Sequence, residues 1–450
     1  MMFWHIVKKE ALTNILNLRF TIGAMLCFLV MIVSMVVSER DYQNRFHTYK
    51  ERTKLQNQAL DSHANINDIG GLIITKLKSP SALSIFAKGF DENIEIESLD
   101  MDSISLLYQN FDPLFVISTL LSLMAILFSY DTISTEKEGR TLPLVLSNSL
   151  RRNTLFLSKW LGGMLTISIM IFLPSFLTGL IILVLGTKIN LESQHWYAIL
   201  FIVIFSILYL SIFYCIGVFI SILALNSFRS ILISLFFWAF FILISPTLSS
   251  YISTKVYKIS SPDIIDHQLA QLEKERQGEI QRALRPYYIS NVKMPESEIH
   301  KLAGIEKIKK KYSKKRSEIV TNYKRKTKYQ VKITKWVSSI LSPIPSFIYL
   351  VTEISSTGLD SVEEYNKQKD SFDNIFWSYV KRKYAGQLRK NPNFSVNDRL
   401  DLSDRPFFTF KNKKLSERIS SNYPFIFILF FYFPLFLILS NFVIQKADVR

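Results

Sequence analysis

The chain has 450 residues, is 49% hydrophobic and 20% charged, and carries a net charge of +17. Apolar content at this level, gathered into long runs, excludes a disordered chain, and two cysteines cannot supply a disulfide framework. The positive excess invites a nucleic-acid reading, and the location of that charge decides against it.

Residues 1–20 place Phe3, Trp4, Val7, Ala11, Ile15 and Leu18 at helical spacing, with Lys8, Lys9 and Glu10 elsewhere. The pattern predicts an amphipathic helix lying at a membrane surface. Six runs without Asp, Glu, Lys or Arg follow, at 21–37, 113–130, 160–185, 196–225, 231–252 and 423–444. Each is near the roughly 20 residues a helix needs to cross a bilayer, and none alternates with the period of a strand. Six transmembrane helices are therefore expected. The first run is longer than a signal-peptide core and is followed by MVVSERDY, without an A-x-A cleavage pattern, so it is expected to be retained.

Orientation follows from the short loops. With the amino terminus inside, the inner segments carry eleven Lys and Arg, whereas the short loop between spans three and four has only Lys188. Both termini are expected in the cytoplasm, with large extracytoplasmic portions at 38–112 and 253–422 and a cytosolic tail at 445–450. Between Lys255 and Arg418 there are 34 Lys or Arg against 19 Asp or Glu, so the charge belongs to one outer domain, where nucleic acid is no partner. Long loops translocate largely regardless of charge.

The outer portion is expected to be α+β and helix-dominated. The stretch Asp68 to Gly89 reads as a strand after a glycine turn, Ile264 to Arg285 and Glu298 to Trp336 read as helices, and Gly386 to Pro406 reads as a loop. Lys307 to Lys335 packs thirteen basic residues against the single acid Glu318. Its apolar residues recur helically, which predicts an amphipathic helix whose basic face is either simply solvated or contacts an anionic partner through Lys309, Lys310, Lys311, Lys314, Lys315 and Arg316.

No P-loop, nucleophile elbow or zinc-binding pattern is present, so no catalytic residue, cofactor or metal site is expected in this chain. No expected span contains an ionisable residue at its middle, which weakens ion-coupled transport. Energy for any transport must then come from a partner. The segment 131–159 is suited to receive it: Glu136, Lys137 and Glu138 leave span two, and Leu142, Leu146, Leu150, Leu157 and Leu161 recur among polar residues. An amphipathic helix of this kind can enter a groove on a soluble partner.

The same residues carry a resemblance. EKEGRTLPLVLSNSLRRNTLFLSKWLGG is similar to the cytosolic signature of type-2 ABC exporter permeases, an E-R-E-x-G-T-L-x-x-L-L-S core followed by an Arg and a Lys. Glu136, Lys137, Glu138, Thr141, Leu142, Val145, Leu146, Ser147, Arg151 or Arg152, and Lys159 match it; the usual glycine before Thr-Leu is replaced by Arg140, with Gly139 one place early. SALSIFAKGFDE near Ser81, the run from Asp112 and the stretch from Leu341 resemble a bacterial subgroup with large outer insertions, related to gliding-motility and nitrous-oxide-reductase-maturation permeases.

The resemblance implies a non-catalytic half-transporter in the bacterial inner membrane. It would pair with an identical or sister permease and bind a separate ATPase subunit that uses ATP and Mg. Glu136 to Lys159 would receive the motor's motion, and membrane lipids or a periplasmic protein would be further partners. The remaining alternatives are an envelope scaffold moved by such a motor without a pore, and an ATP-independent membrane receptor.

Overall fold

Charge-free apolar runs fold as helices because a backbone in hydrocarbon must satisfy its own hydrogen bonds. The computed structural model describes residues 2–62, 77–90, 111–143, 151–184, 192–289, 304–395 and 398–446. Among these residues there is no β-strand. The β-branched run of the expected strand lies outside the described residues. Its described remainder holds the 3₁₀ turn Ala82–Ile85. The α+β expectation therefore has no support among the described residues, which are helical or irregular.

Helix α1 covers Met2–Leu16 and α2 covers Leu18–Ser62. Next, α3 is built from the turn Pro113–Phe115, the π-helical turn Val116–Leu121 and the helix Ser122–Ser129. The short α4, Ser134–Glu138, is followed by α5, Arg152–Val184, and α6, Ser193–Leu223. Helix α7 joins Ser227–Ala239, the π-helical turn Phe240–Ile244 and Ser245–Val256. The last six are α8, Pro262–Ile289; α9, Ile305–Leu341; α10, Pro343–Ile354; α11, Leu359–Lys390; α12, Leu415–Ser421; and α13, Tyr423–Lys446.

Five of the described helices are long and apolar enough to cross a membrane: Leu18–Leu60, Pro113–Glu138, Ser193–Leu223, Ser227–Val256 and Tyr423–Lys446. The remaining expected span, 160–185, coincides with most of α5, whose described side chains end at Met170.

Two boundaries differ from expectation. Helix α2 continues far beyond Val37, because the drop in hydropathy marks a membrane edge and no glycine or proline stops the helix before Ser62. The Arg45 and Asp41 pair at 2.8 Å supports the continuation one turn apart. Likewise α11 runs through Gly386 to Lys390, so the expected loop begins only at Asn391.

The chain divides into two compact units. Among the described residues, the first contains those up to Thr247 and from Ser338 onward, and the second those within Leu248–Val337. In the first unit α6 is central, with α3, α5, α7, α10 and α13 packed on it. The twelve-residue α10 is buried along its whole length, too short to span a bilayer and starting at the Ser342 cap and Pro343. Tyr209 of α6 stacks on its Phe347 with ring centroids 4.3 Å apart. The same tyrosine donates to Ser118 O at 2.6 Å, satisfying a carbonyl of the π-helical turn in α3. Ser245 Oγ does the same for Phe241 O in α7, at 2.6 Å.

Residues 78–90 and 355–361 of this unit are clasped together. Buried Lys78 donates to Ser356 O at 3.2 Å and Ser361 Oγ at 3.0 Å, and Ser81 Oγ donates to Ser355 O at 2.7 Å. Phe90 N donates to Thr357 O at 3.0 Å. Gly89, at φ +60, is required here, because a Cβ would meet the Thr357 backbone oxygen.

In the second unit α8 and α9 run antiparallel. Tyr257, just before α8, stacks edge-on against Tyr329 and accepts from Gln330 through its carbonyl at 2.8 Å, whereas Glu279 further along α8 pairs with Lys311 at 2.9 Å.

Candidate functional site

The chain turns sharply where it leaves α3. Ser221 Oγ of α6 accepts from Ile133 N at 3.0 Å and Ser134 N at 2.9 Å, fixing the start of α4. At the far end, Thr141 N donates to Glu136 O at 2.9 Å and Arg140 N to Lys137 O at 3.1 Å. These are the two bonds of a Schellman cap, which places its penultimate residue in the left-handed region. That residue is Arg140, at φ 52. Arginine thus occupies the conformation that glycine adopts most easily, at the position where the family signature has glycine.

Two charged residues of the signature meet away from solvent, Lys159 buried and Glu136 half-buried. Lys159 of α5, buried, reaches Glu136 Oε1 at 2.9 Å and Glu10 Oε2 of α1 at 3.5 Å, and donates to Thr132 O at 3.1 Å. One ammonium therefore joins α1, α4 and α5. Burial pulls the Lys159 pKa down, but Glu10 and Glu136 more than offset this and leave it raised, so it stays charged. Burial also pushes Glu10 up, against the opposing pull of Lys159. The second oxygen of Glu136 is buried without a hydrogen-bond partner.

Three more charged side chains close helix ends. Lys137 Nζ donates to Ile222 O and Ala224 O at the carboxyl end of α6. Glu138 Oε2 accepts from Ser227 N at 3.1 Å, at the amino end of α7. Arg152 Nη1 donates to Gln445 O at 2.7 Å and Ile444 O at 3.3 Å, at the carboxyl end of α13. Each sign matches the helix dipole it meets, cations at carboxyl ends and the carboxylate at an amino end. Arg19 completes the ring, pairing with Asp131 at 3.1 Å and donating to Tyr130 OH at 2.7 Å.

Two adjacent glycines permit this packing. A Cβ on Gly162 would lie 2.8 Å from Glu10 Cβ, and one on Gly163 would collide with the Tyr214 hydroxyl of α6. Their absence lets α1 and α6 approach α5 closely.

Of the other expected residues, Leu142 is buried, Thr141 and Arg151 are exposed, and Leu146 lies outside the described residues. Sequence reasoning assigned Glu10 to the polar side of α1 and missed its pairing with Lys159. The spacing Val7, Glu10 puts it one turn from a core residue, and the glycine pair beside a lone lysine was the available signal. In the second unit, Lys309, Lys310, Lys311, Lys314, Lys315 and Arg316 are all exposed on α9.

A family model described as ABC-2 family transporter protein matches residues 4–449. The chain belongs to the ABC-2 transporter family. As an ABC-2 protein it is a multi-pass membrane subunit of the ABC transporter class, in keeping with its apolar helices. No curated protein matches the chain. The ABC-2 match covers residues of both units.

Proposed function

We propose that this chain is the permease half of an ABC exporter of the bacterial inner membrane, in which ATP hydrolysis by a separate subunit drives export or extraction of a substrate. One observation carries the reading: the segment 131–142 is fastened by charged side chains to α2, α5, α6 and α7, while Thr135, Glu138, Arg140, Thr141 and Pro143 remain exposed. A partner pressing on the exposed face would displace several helices at once. A flexible loop would absorb the same push.

In this reading Glu136, Lys137 and Lys159 position the segment, and Arg140, Pro143 and Arg151 offer surface to the ATPase. The ATP and Mg are held by that subunit, and a second permease copy, identical or sister, completes the membrane part. Both termini lie in the cytoplasm, and six spans cross the membrane.

Purification of the full chain from detergent-solubilised membranes tests this. A nucleotide-hydrolysing subunit should co-purify in stoichiometric amount, with a second permease. Recovery of the chain without any ATPase would overturn the reading.

A further inference from the structure

Helix α9 carries seven cations, Lys307, Lys309, Lys310, Lys311, Lys314, Lys315 and Arg316, within ten residues that include no acid, and all seven are exposed. At 1.5 Å per residue this is about one charge per 2 Å of axis, close to the one per 1.7 Å of duplex DNA. Charge at this density holds a layer of counterions.

The facing stretch of α8 neutralises only part of it, chiefly at Lys311. Glu273, Glu275 and Glu279 alternate there with Lys274, Arg276 and Arg282. Glu273 is paired with Arg276 on its own helix, with Arg316 contributing at longer range, and Glu279 is spent on Lys311 and Tyr312. Lysines at spacings of three and four, such as 307 with 310 and 311, or 310 with 314, repel one another and destabilise the helix they sit on. A solvated face needs no such concentration.

We propose that this end of α9 binds a linear polymer bearing repeated phosphate groups. Six of the seven cations are lysines, which meet phosphate as point charges without the planar geometry arginine imposes. Their distribution favours a chain over a bilayer. At 100° per residue they occupy an arc of roughly 260° around the helix. Ile308 and Tyr312 fall in the remaining sector. A planar surface touches one side of a helix, whereas a flexible polymer can follow all of this arc. Binding would release the condensed anions and be steeply salt-dependent. The proposal does not depend on the coupling role of residues 131–142.

The test uses the full chain in nanodiscs of phosphatidylcholine and fluorescent long-chain polyphosphate, followed by anisotropy across salt. Affinity should fall about 100-fold between roughly 50 and 200 mM salt, as for about five neutralised phosphates. The variant Lys309→Gln/Lys310→Gln/Lys314→Gln/Lys315→Gln keeps the Lys311 and Glu279 pair, and glutamine matches lysine in helix propensity, so the fold should persist, as circular dichroism will show. Its log–log salt slope should be shallower by about 3 and its low-salt affinity about 100-fold weaker. Absence of polyphosphate binding, or binding unchanged in the variant, overturns the proposal. So does loss of co-flotation with phosphatidylglycerol vesicles in a variant that still binds polyphosphate, which would make the bilayer the occupant.

Discussion

Lys159 holds Glu136 at 2.9 Å through one carboxylate oxygen, while the other oxygen of Glu136 is buried with no partner. With Glu10 also within 3.5 Å of the same ammonium, one cation answers two carboxylates in a buried place. This is an interaction whose loss is costly, because removing the shared charge strands two others.

Lys159→Met should therefore destabilise the protein by about 3 kcal/mol, and Glu136→Gln by clearly less, since Glu10 still balances Lys159. Thermal unfolding of the two variants in detergent checks the order. Equal losses would mean that Glu10 does not share the lysine.

The Lys159→Met variant should regain stability on acidification. Glu10 has a carboxyl raised above 4.5 by burial, so the folded state binds its proton more tightly than the unfolded state does. That contribution is fully present below 4.5 and is lost as pH rises through the raised value. Unfolding midpoints of the variant and the wild type should converge as pH falls toward 4.5; parallel curves would contradict the pairing.

Arg140→Gly should stabilise the protein by about 1 kcal/mol, because a side chain at φ 52 carries a steric cost that glycine does not. The measured quantity is again the unfolding midpoint. A loss of stability would show that the Arg140 side chain makes a contribution larger than its backbone cost.

Asp112 caps α3, accepting from Phe115 N at 2.8 Å and Lys88 N at 2.9 Å, and burial pushes its pKa up to about 6. The protonated form is favoured in the folded state, so the group's contribution to stability is fully present below its ordinary 3.8 and is lost as pH rises through about 6. Asp112→Asn removes this titration. The stability difference between wild type and variant should shift toward the variant between pH 4 and pH 7, and a flat difference would contradict the raised value.

Helical architecture was legible because apolar runs of membrane length admit little else, and the residue types of the signature drew attention to 131–159. Three things were not legible. Hydropathy marks where α2 leaves hydrocarbon, so it could not mark where the helix stops, and beyond that edge local pairs such as Asp41 with Arg45 and His47 with Glu51 continue the pattern. The signature charges looked like groups offered to a partner, yet Lys137, Glu138 and Arg152 reach back to helix ends that are distant in sequence. A sequence lists charges without directions. Glu10 was hidden for the same reason, since its partner lies 149 residues away.

The position of Arg140 offers the most direct measurement. A photo-crosslinking residue placed there, in inverted membrane vesicles containing the full transporter, should form an adduct with the nucleotide-hydrolysing subunit, and the yield should change on addition of ATP. Labelling of that position only by impermeant reagents applied outside intact cells, with no adduct in the inverted vesicles, would contradict the account.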